Sequence, residues 1–298
     1  PVGVPKVMVS TVACGQTTFG PYVGTKDITM IHSVADILGL NRVTRRILVQ
    51  AAAAVTAMAG AEVPAGDSHG DLVAITQAGI TTPGVMAVKA RLEAMGFEVI
   101  AFHCNGIGGQ AMEELVLDGT IKGVIDFSPH EVIDLLYGGL MPAMPGRLEA
   151  AGRMGIPQVV TPGATDIRLH GRPEDLSEDL RARAHVQHTP THTHVRASAD
   201  EMAAVARWIA ERLNAARGPR AVMIPLRGFS MLNCEGKVLY DEAANWAFVE
   251  AMEQALRPVD TDLLEIDAHV NDQAFADAVV DTFLRLREAR PQEQETSR

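Results

Sequence analysis

Six short apolar segments between residues 72 and 268 constrain the fold more than any other feature. They read LVAITQAG, EVIAFHC, GVIDFS, PQVVTPG, RAVMIPLRG and LLEIDA. Their hydrophobicity is nearly continuous, which is typical of strands covered by helices on both faces of a parallel sheet. Helical patterns lie between them. The sequence therefore predicts repeated βα units and an α/β fold.

The helices between these segments carry end signals. TPGVMAVKARLEAMG has Pro83 in a first turn and Gly96 at its end, which is the usual placement of these two residues in a helix. SADEMAAVARWIAERLNAARG opens on Ser198 with Glu201 three residues later. This spacing predicts a capping box.

The first 61 residues follow another pattern. We predict a strand at 5–11, a helix from about Ile28, and a long alanine-rich helix in NRVTRRILVQAAAAVTAMAG. The polar segment EVPAGDSHGD, residues 62–71, is typical of a linker. Residues 72–290 then form a complete domain, and we expect 291–298 to be disordered because RPQEQETSR has no apolar anchor.

Charge and composition exclude several functional classes. The net charge of -11 argues against binding to a nucleic-acid backbone, which requires clustered Lys and Arg. No apolar run reaches the ~18 residues of a membrane span, and no signal segment opens the chain. Cys14, Cys104 and Cys234 are far apart, so they predict neither a disulfide framework nor a CxxC metal site. We expect a cytoplasmic protein that makes no contact with a membrane.

Polar residues gather where the predicted strands end, the edge at which parallel sheets bind ligands. Because glycines let backbone N–H groups approach an anion at a helix N-terminus, we predict that the loop FHCNGIGGQAMEEL holds the anionic part of a small ligand. The candidate binding residues are Thr81, Thr82, Asn105, Gly106, Gly108, Gly109, Ser128, His130, Glu131, Gly163 and Asp166.

Each candidate has an ordinary structural alternative. The glycines can serve a tight turn and close packing, and Thr81 and Thr82 can cap a helix. Glu131 is favoured by the helix dipole alone. Asp166 is either a turn residue or a ligand of a ribose hydroxyl or a metal.

A run of histidines, HVQHTPTHTH, follows at residues 185–194. An extended segment puts His192 and His194 on one side, which offers two metal ligands but not a complete site. We therefore predict no metal site here. Substrate contact, partner contact and a solvated loop stay open as roles for this run.

Several ordered motifs carry a resemblance to a known family. VPKVMVSTVA, GITTPGVMAVKARLEAMGFEVIAFHCNGIGGQAME, GVIDFSPHEVIDLLYGG and HVNDQAFADAVVDTFL resemble the ATP-binding domain family named for the tomato mosaic virus resistance protein. The resemblance implies a pair of Rossmann-like α/β domains, dimer formation and nucleotide binding. It also implies that this chain lacks the family's N-terminal portion, so that residues 1–61 are the C-terminal part of a first domain.

The sequence thus predicts an α/β protein of unassigned reaction that binds a nucleotide, ATP or a relative with Mg²⁺, or a small anion. One alternative is an enzyme on a small carbonyl or phosphorylated metabolite, with His103, His130 or Glu131 moving protons. A second alternative is a protein-interaction scaffold. We expect a homodimer, and the sequence assigns no catalytic residue.

Overall fold

A computed structural model describes residues 1–13, 20–62, 70–257 and 261–289. The chain divides into two compact units, Pro1–Asp67 and Ser68–Arg298. The predicted linker lies almost wholly outside the described residues, as does the predicted disordered tail. None of the described helices is long and apolar enough to span a membrane.

The described residues of unit 1 form a two-stranded parallel sheet and two helices. Its elements are β1 Val7–Ser10, α1 Gly20–Val23, β2 Thr29–His32 and α2 Arg42–Ala59. The predicted first strand and alanine-rich helix are confirmed. The predicted helix from Ile28 is wrong, because Thr29–His32 pairs with Val7–Ser10 in parallel register. A short run with Thr and Ile at alternate positions suits a strand better than a helix.

Helix α2 begins at a capping box. The Asn41 side chain accepts from the backbone N–H of Val43 at 2.9 Å and of Thr44 at 3.0 Å, and Thr44 Oγ1 accepts from Asn41 N–H. Within unit 1 the helix leaves large apolar side chains exposed, including Val49 at 63% and Val43 at 43%. Exposed apolar side chains therefore lie along helix α2.

Unit 2 is larger. Its helices and strands, in chain order, are β3 Leu72–Gln77, α3 Thr82–Ala94, β4 Glu98–His103, α4 Ile107–Leu117, β5 Gly123–Asp126, α5 Glu131–Tyr137, α6 Ala150–Met154, β6 Gln158–Val160, β7 Ile167–His170, α7 Glu178–Arg181, β8 His185–Thr189, β9 His192–Arg196, α8 Ala199–Ala215, β10 Arg220–Pro225, α9 Glu242–Ala255, β11 Thr261–Ile266 and α10 Gln273–Glu288.

Six of these strands form one parallel sheet in the order β11-β10-β6-β5-β3-β4. They are the six predicted apolar segments, so the α/β class with a parallel sheet is confirmed. The chain leaves β3 for β4 at one edge and returns past β3 to β5. Strand order thus reverses between β3 and β5, which is the switch point at which such sheets bind ligands.

Alternate residues of each strand pack into hydrophobic clusters on opposite faces of the large sheet. Val73 and Ile75 pack in a cluster that contains residues of α3 and α10, whereas Ala74 packs in one that contains residues of α4 and α6. Further along the sheet, Val222 and Ile224 pack with residues of α8 and α9. Helices therefore cover both faces, which explains why the strands have no polar alternation.

A second sheet, which the sequence analysis did not predict, interrupts the βα rhythm after β6. Strands β7, β9 and β8 pair antiparallel in that order, and we call them the cap sheet. Ile167 of β7 packs with Ile80 and Ala164, residues of the loops that follow β3 and β6. The cap sheet therefore lies over the carboxyl edge of the large sheet, the edge at which its strands end.

Candidate functional site

The residues predicted for a ligand site differ widely in exposure. Asn105 is exposed, and Thr82 and Gly108 are half-buried. The other eight are buried: Thr81, Gly106, Gly109, Ser128, His130, Glu131, Gly163 and Asp166. The structure thus gathers most of them inside the protein, where each polar atom needs a partner.

The glycine loop binds an anionic group, and that group is the side-chain carboxylate of Glu131 rather than a ligand. Glu131 Oε1 accepts hydrogen bonds from the backbone N–H groups of Gly106 at 2.9 Å and Gly109 at 3.1 Å. The N–H of Gly108 donates to Asn105 Oδ1 at 2.9 Å, and that of Gln110 donates to the Gly106 carbonyl. The donors that we predicted for a ligand are therefore occupied internally.

The glycines also serve close packing. A Cβ at Gly108 would lie 1.9 Å from the His103 carbonyl oxygen, and one at Gly109 would lie 2.5 Å from Glu131 Oε1. Gly106 has φ +86°, in the left-handed region that favours glycine. The structural alternative for this loop is thus realised; ligand binding near the loop stays a prediction.

Arg147 holds the other side of Glu131. Its Nε lies 2.6 Å from Glu131 Oε2, and its guanidinium also bonds both oxygens of Asp126 and lies 3.2 Å from Glu113 Oε1. The Arg147 side chain is fully buried. Burial raises the pKa of Glu113 despite the neighbouring Arg147 charge. One buried arginine therefore bridges three carboxylates, and both oxygens of Glu131 are occupied by donors of the chain.

A pair of hydroxyl groups lies at the switch point. Thr81 Oγ1 and Ser128 Oγ are 2.6 Å apart, and they belong to the loops that follow β3 and β5. Thr76 Oγ1 donates to Asp126 Oδ1 and accepts from the Ser128 N–H, so a short chain of hydrogen bonds joins this pair to the Arg147 group. Both hydroxyl groups lie at the carboxyl edge of the large sheet, while their binding of a ligand stays a prediction.

Asp166 directly precedes strand β7 of the cap sheet, and its backbone carbonyl accepts from the N–H of Ala197. Its Oδ2 accepts from Ser230 Oγ at 2.7 Å, and its backbone carbonyl accepts from Arg196 at 2.8 Å. Its Oδ1 has no hydrogen-bond partner among the described residues, although the residue is fully buried. A buried carboxylate oxygen without a donor is costly, so this atom distinguishes the site.

Both ring nitrogens of His130 face acceptors of the chain. Nδ1 lies 3.0 Å from the Ala164 carbonyl, and Nε2 lies 3.5 Å from Asp134 Oδ2. Burial lowers the pKa of His130, but the hydrogen bond and charge of Asp134 outweigh it and raise the pKa above its ordinary value. Both nitrogens are thus engaged by acceptors of the chain, which favours a structural ion pair.

The histidine run forms strands rather than a loop. His192 and His194 lie two residues apart on β9 and therefore share a face, as expected for an extended segment. The rings of His188 and His194 stack at 4.6 Å. Among the described residues no group of three His, Cys, Asp or Glu side chains could hold a metal ion.

Sequence reasoning missed four residues of this region. Arg147, Asp134, Ser230 and Arg196 bind the predicted residues, but they lie in segments without a motif. A charged residue within an apolar stretch was the available signal for Asp134, in EVIDLLY. Arg147 had no local signal, because its partners come from distant segments. Ser230 follows the predicted strand RAVMIPLRG, at an edge where the sequence predicts polar residues.

Two family models match the chain. The C-terminal domain of uncharacterised protein family UPF0261 matches residues 71–287, and its N-terminal domain matches residues 1–64. The chain belongs to family UPF0261. The two matches fall on the two compact units, while the expectation of a missing N-terminal portion stays a prediction.

Relatives come from bacteria and a plant. A UPF0261 protein of Clostridium tetani is 41% identical over 96% of this chain and 70% of its own length, and one of Rhizobium meliloti is 42% identical over 95% and 70%. The ToMV resistance protein Tm-1 of Solanum lycopersicum is 36% identical over 96% of this chain and 38% of its own length. The predicted relationship to that plant protein is confirmed.

A solved structure titled as a LacI transcriptional regulator from Bacteroides fragilis superposes with a TM-score of 0.23. It is 13% identical, and the match covers 72% of this chain and 65% of that one. A superposition this poor says nothing about what family UPF0261 binds.

Proposed function

We propose that unit 2 binds a nucleotide, ATP or a relative, or another small anionic ligand at its carboxyl edge near the switch point. The observation that carries the proposal is the fully buried Asp166, whose Oδ1 lacks a donor among the described residues. A ligand hydroxyl would supply that donor, as the ribose of a nucleotide does. We further propose that Mg²⁺ binds together with the nucleotide. We also propose that the protein is a homodimer in the cytoplasm.

The anionic part needs donors outside the glycine loop, because Glu131 occupies Gly106 and Gly109. Helix α3 begins at the carboxyl end of β3, and its half-buried Thr82 lies beside the Thr81–Ser128 pair in the chain. A helix N-terminus carries about half a positive charge. The first turn of α3 offers few backbone donors, because Pro83 has no N–H and the Gly84 N–H donates to Asn271 Oδ1 at 3.1 Å. The positive end of the helix dipole is therefore what supports an anion at the start of α3.

Calorimetry and thermal unfolding of the whole chain test the proposal with ATP, ADP, AMP and inorganic phosphate, each with and without Mg²⁺. We expect ATP to raise the unfolding midpoint, and Asp166→Asn to reduce the binding. The matched control is Asp262→Asn, at the amino end of β11, where Asp262 pairs with Arg285 at the surface. If none of these compounds binds the wild-type protein at millimolar concentration, the proposal is wrong.

The enzyme alternative is weaker on this geometry. Glu131 is bound by Arg147 and two backbone N–H groups, and His130 directs both nitrogens at acceptors of the chain. Only exposed His103 keeps access to solvent. Turnover of a small carbonyl or phosphorylated compound would favour an enzyme, whereas the absence of any ligand effect would favour a scaffold.

A further inference from the structure

Strand β9 turns two buried side chains toward the carboxyl edge. His194 and Arg196 lie two residues apart and share one face of the cap sheet. In register they pair with Leu169 and Ile167, and Ile167 packs against Ile80 and Ala164 of the edge. The face that carries His194 and Arg196 is therefore the inner face of the cap sheet.

Three polar atoms in this region have no partner among the described residues. They are Asp166 Oδ1, Arg196 Nε and His194 Nδ1. Their residues are 0%, 4% and 6% exposed, and the Arg196 guanidinium contacts the Asp166 carbonyl at 2.8 Å. Arg168 Nε, His170 Nε2 and Thr193 Oγ1, on the opposite face of the cap sheet, are also without a partner among the described residues. A buried unpaired atom on the inner face calls for a partner, which a bound polar group would supply.

The chemistry of the three atoms selects the ligand. Arg196 Nε is a donor, Asp166 Oδ1 is an acceptor, and a neutral imidazole nitrogen can be either. Burial, then the neighbouring His188, lowers the pKa of His194 to about 4, so its ring is neutral at pH 7. A fully ionised phosphate group could pair with Arg196 but has no hydrogen to donate to Asp166 Oδ1. Neighbouring hydroxyl groups both donate and accept, so they satisfy all three atoms.

We infer that His194 and Arg196 of the cap sheet, with Asp166, recognise a pair of neighbouring hydroxyl groups on the ligand, such as those of a ribose. The inference rests on the proposed function. It adds that residues of the cap sheet bind the sugar of the ligand rather than its phosphate. The stack of His188 on His194 closes this part of the site from solvent.

Calorimetry of the wild-type protein tests the inference with ATP, its 2′-deoxy and 3′-deoxy analogues, and inorganic triphosphate. We expect each deoxy analogue to bind at least about tenfold more weakly than ATP, because a lost hydroxyl leaves buried polar atoms unpaired. Inorganic triphosphate should bind more weakly still. Deoxy analogues that bind within about twofold of ATP would overturn the inference, since a buried water molecule would then suffice as the partner.

Two variants locate the effect. His194→Phe keeps a ring to stack on His188 but removes the nitrogen, so discrimination against deoxy analogues should fall to about threefold or less. Gln187→Ala changes an exposed side chain of β8 in the same sheet, so discrimination should be unchanged. Unchanged discrimination in a folded His194→Phe protein would overturn the inference. Failure of the wild type to bind ATP at all would instead refute the proposed function.

Discussion

Arg147 and Glu131 form a fully buried ion pair, with 2.6 Å between Nε and Oε2. The opposite carboxylate oxygen, Oε1, takes the N–H groups of Gly106 and Gly109. The start of α4 is thus neutralised by a side chain of α5, and the same carboxylate ties α4 to the loop that carries Arg147. This pair makes the glycine loop a structural junction of unit 2.

Glu131→Gln tests the junction. An amide cannot accept from every donor around Glu131, and its own NH₂ would face either Arg147 or a backbone N–H. We expect unfolding free energy to fall by about 3 kcal/mol or more, the usual cost of breaking a buried pair. Urea unfolding measures it. Glu93→Gln, which breaks the surface pair with Lys89, should change stability by less than about 1 kcal/mol; equal losses would contradict the assignment.

Gly108→Ala should destabilise unit 2 even without any ligand. The added Cβ would meet the His103 carbonyl oxygen at 1.9 Å, and backbone atoms cannot move aside as a flexible side chain can. We expect a loss of roughly 2 kcal/mol in urea unfolding, within the usual cost of overpacking. Gly79→Ala is the matched control because nothing lies within 4 Å of its Cβ position, and it should unfold like the wild type.

His194 should make the protein acid-sensitive. Its pKa is lowered to about 4 from 6.5, first by burial and then by His188 and His130, with Asp134 opposing and His192 adding. A histidine whose pKa falls on folding contributes stability above pH 6.5 that is lost as pH falls toward 4. The full shift of the pKa from 6.5 to about 4 corresponds to about 3 kcal/mol of unfolding free energy. Unfolding of His194→Phe between pH 7 and 4 should lose correspondingly less than the wild type.

The control for this prediction is His103→Gln, which changes an exposed histidine and should keep the wild-type acid sensitivity. His130 contributes with the opposite sign. Its pKa is raised above the ordinary 6.5 because Asp134 outweighs burial, so its stability is present below pH 6.5 and is lost as pH rises through the folded value. Identical acid profiles for His194→Phe and wild type would refute the prediction.

Helix α2 should mediate homodimer formation. Val49 and Val43 are exposed on it at 63% and 43% within the chain, and burying such side chains against a second copy is favourable. We expect light scattering to show a dimer that Val49→Glu weakens by at least about 30-fold, a hot-spot effect of 2 kcal/mol. Gln50→Glu adds the same charge at the next position and should do less. A wild-type protein that stays monomeric at every concentration would exclude the dimer.

The sequence by itself determined the elements whose signals are local. Six apolar segments gave the six parallel strands, and the Ser198–Glu201 capping box is present in both directions, at 2.9 and 3.3 Å. Continuous hydrophobicity and helix caps depend on neighbouring residues alone. The sequence also predicted that polar residues after the strands lie at one edge of a parallel sheet, as Thr81 and Ser128 do. The strand order, and with it the switch point between β3 and β5, came only from the structure.

Only the tertiary structure decided which acceptor each buried donor finds. Glu131 lies 25 residues from Gly106, and Asp166 lies 64 residues from Ser230, so no local pattern couples them. The cap sheet and β2 were missed for a related reason, since short strands take their identity from the partner that supplies their hydrogen bonds. The sequence of the glycine loop predicted binding of an external anion. In the structure the carboxylate of Glu131 occupies this place, because a buried N–H group binds the acceptor that the fold brings closest.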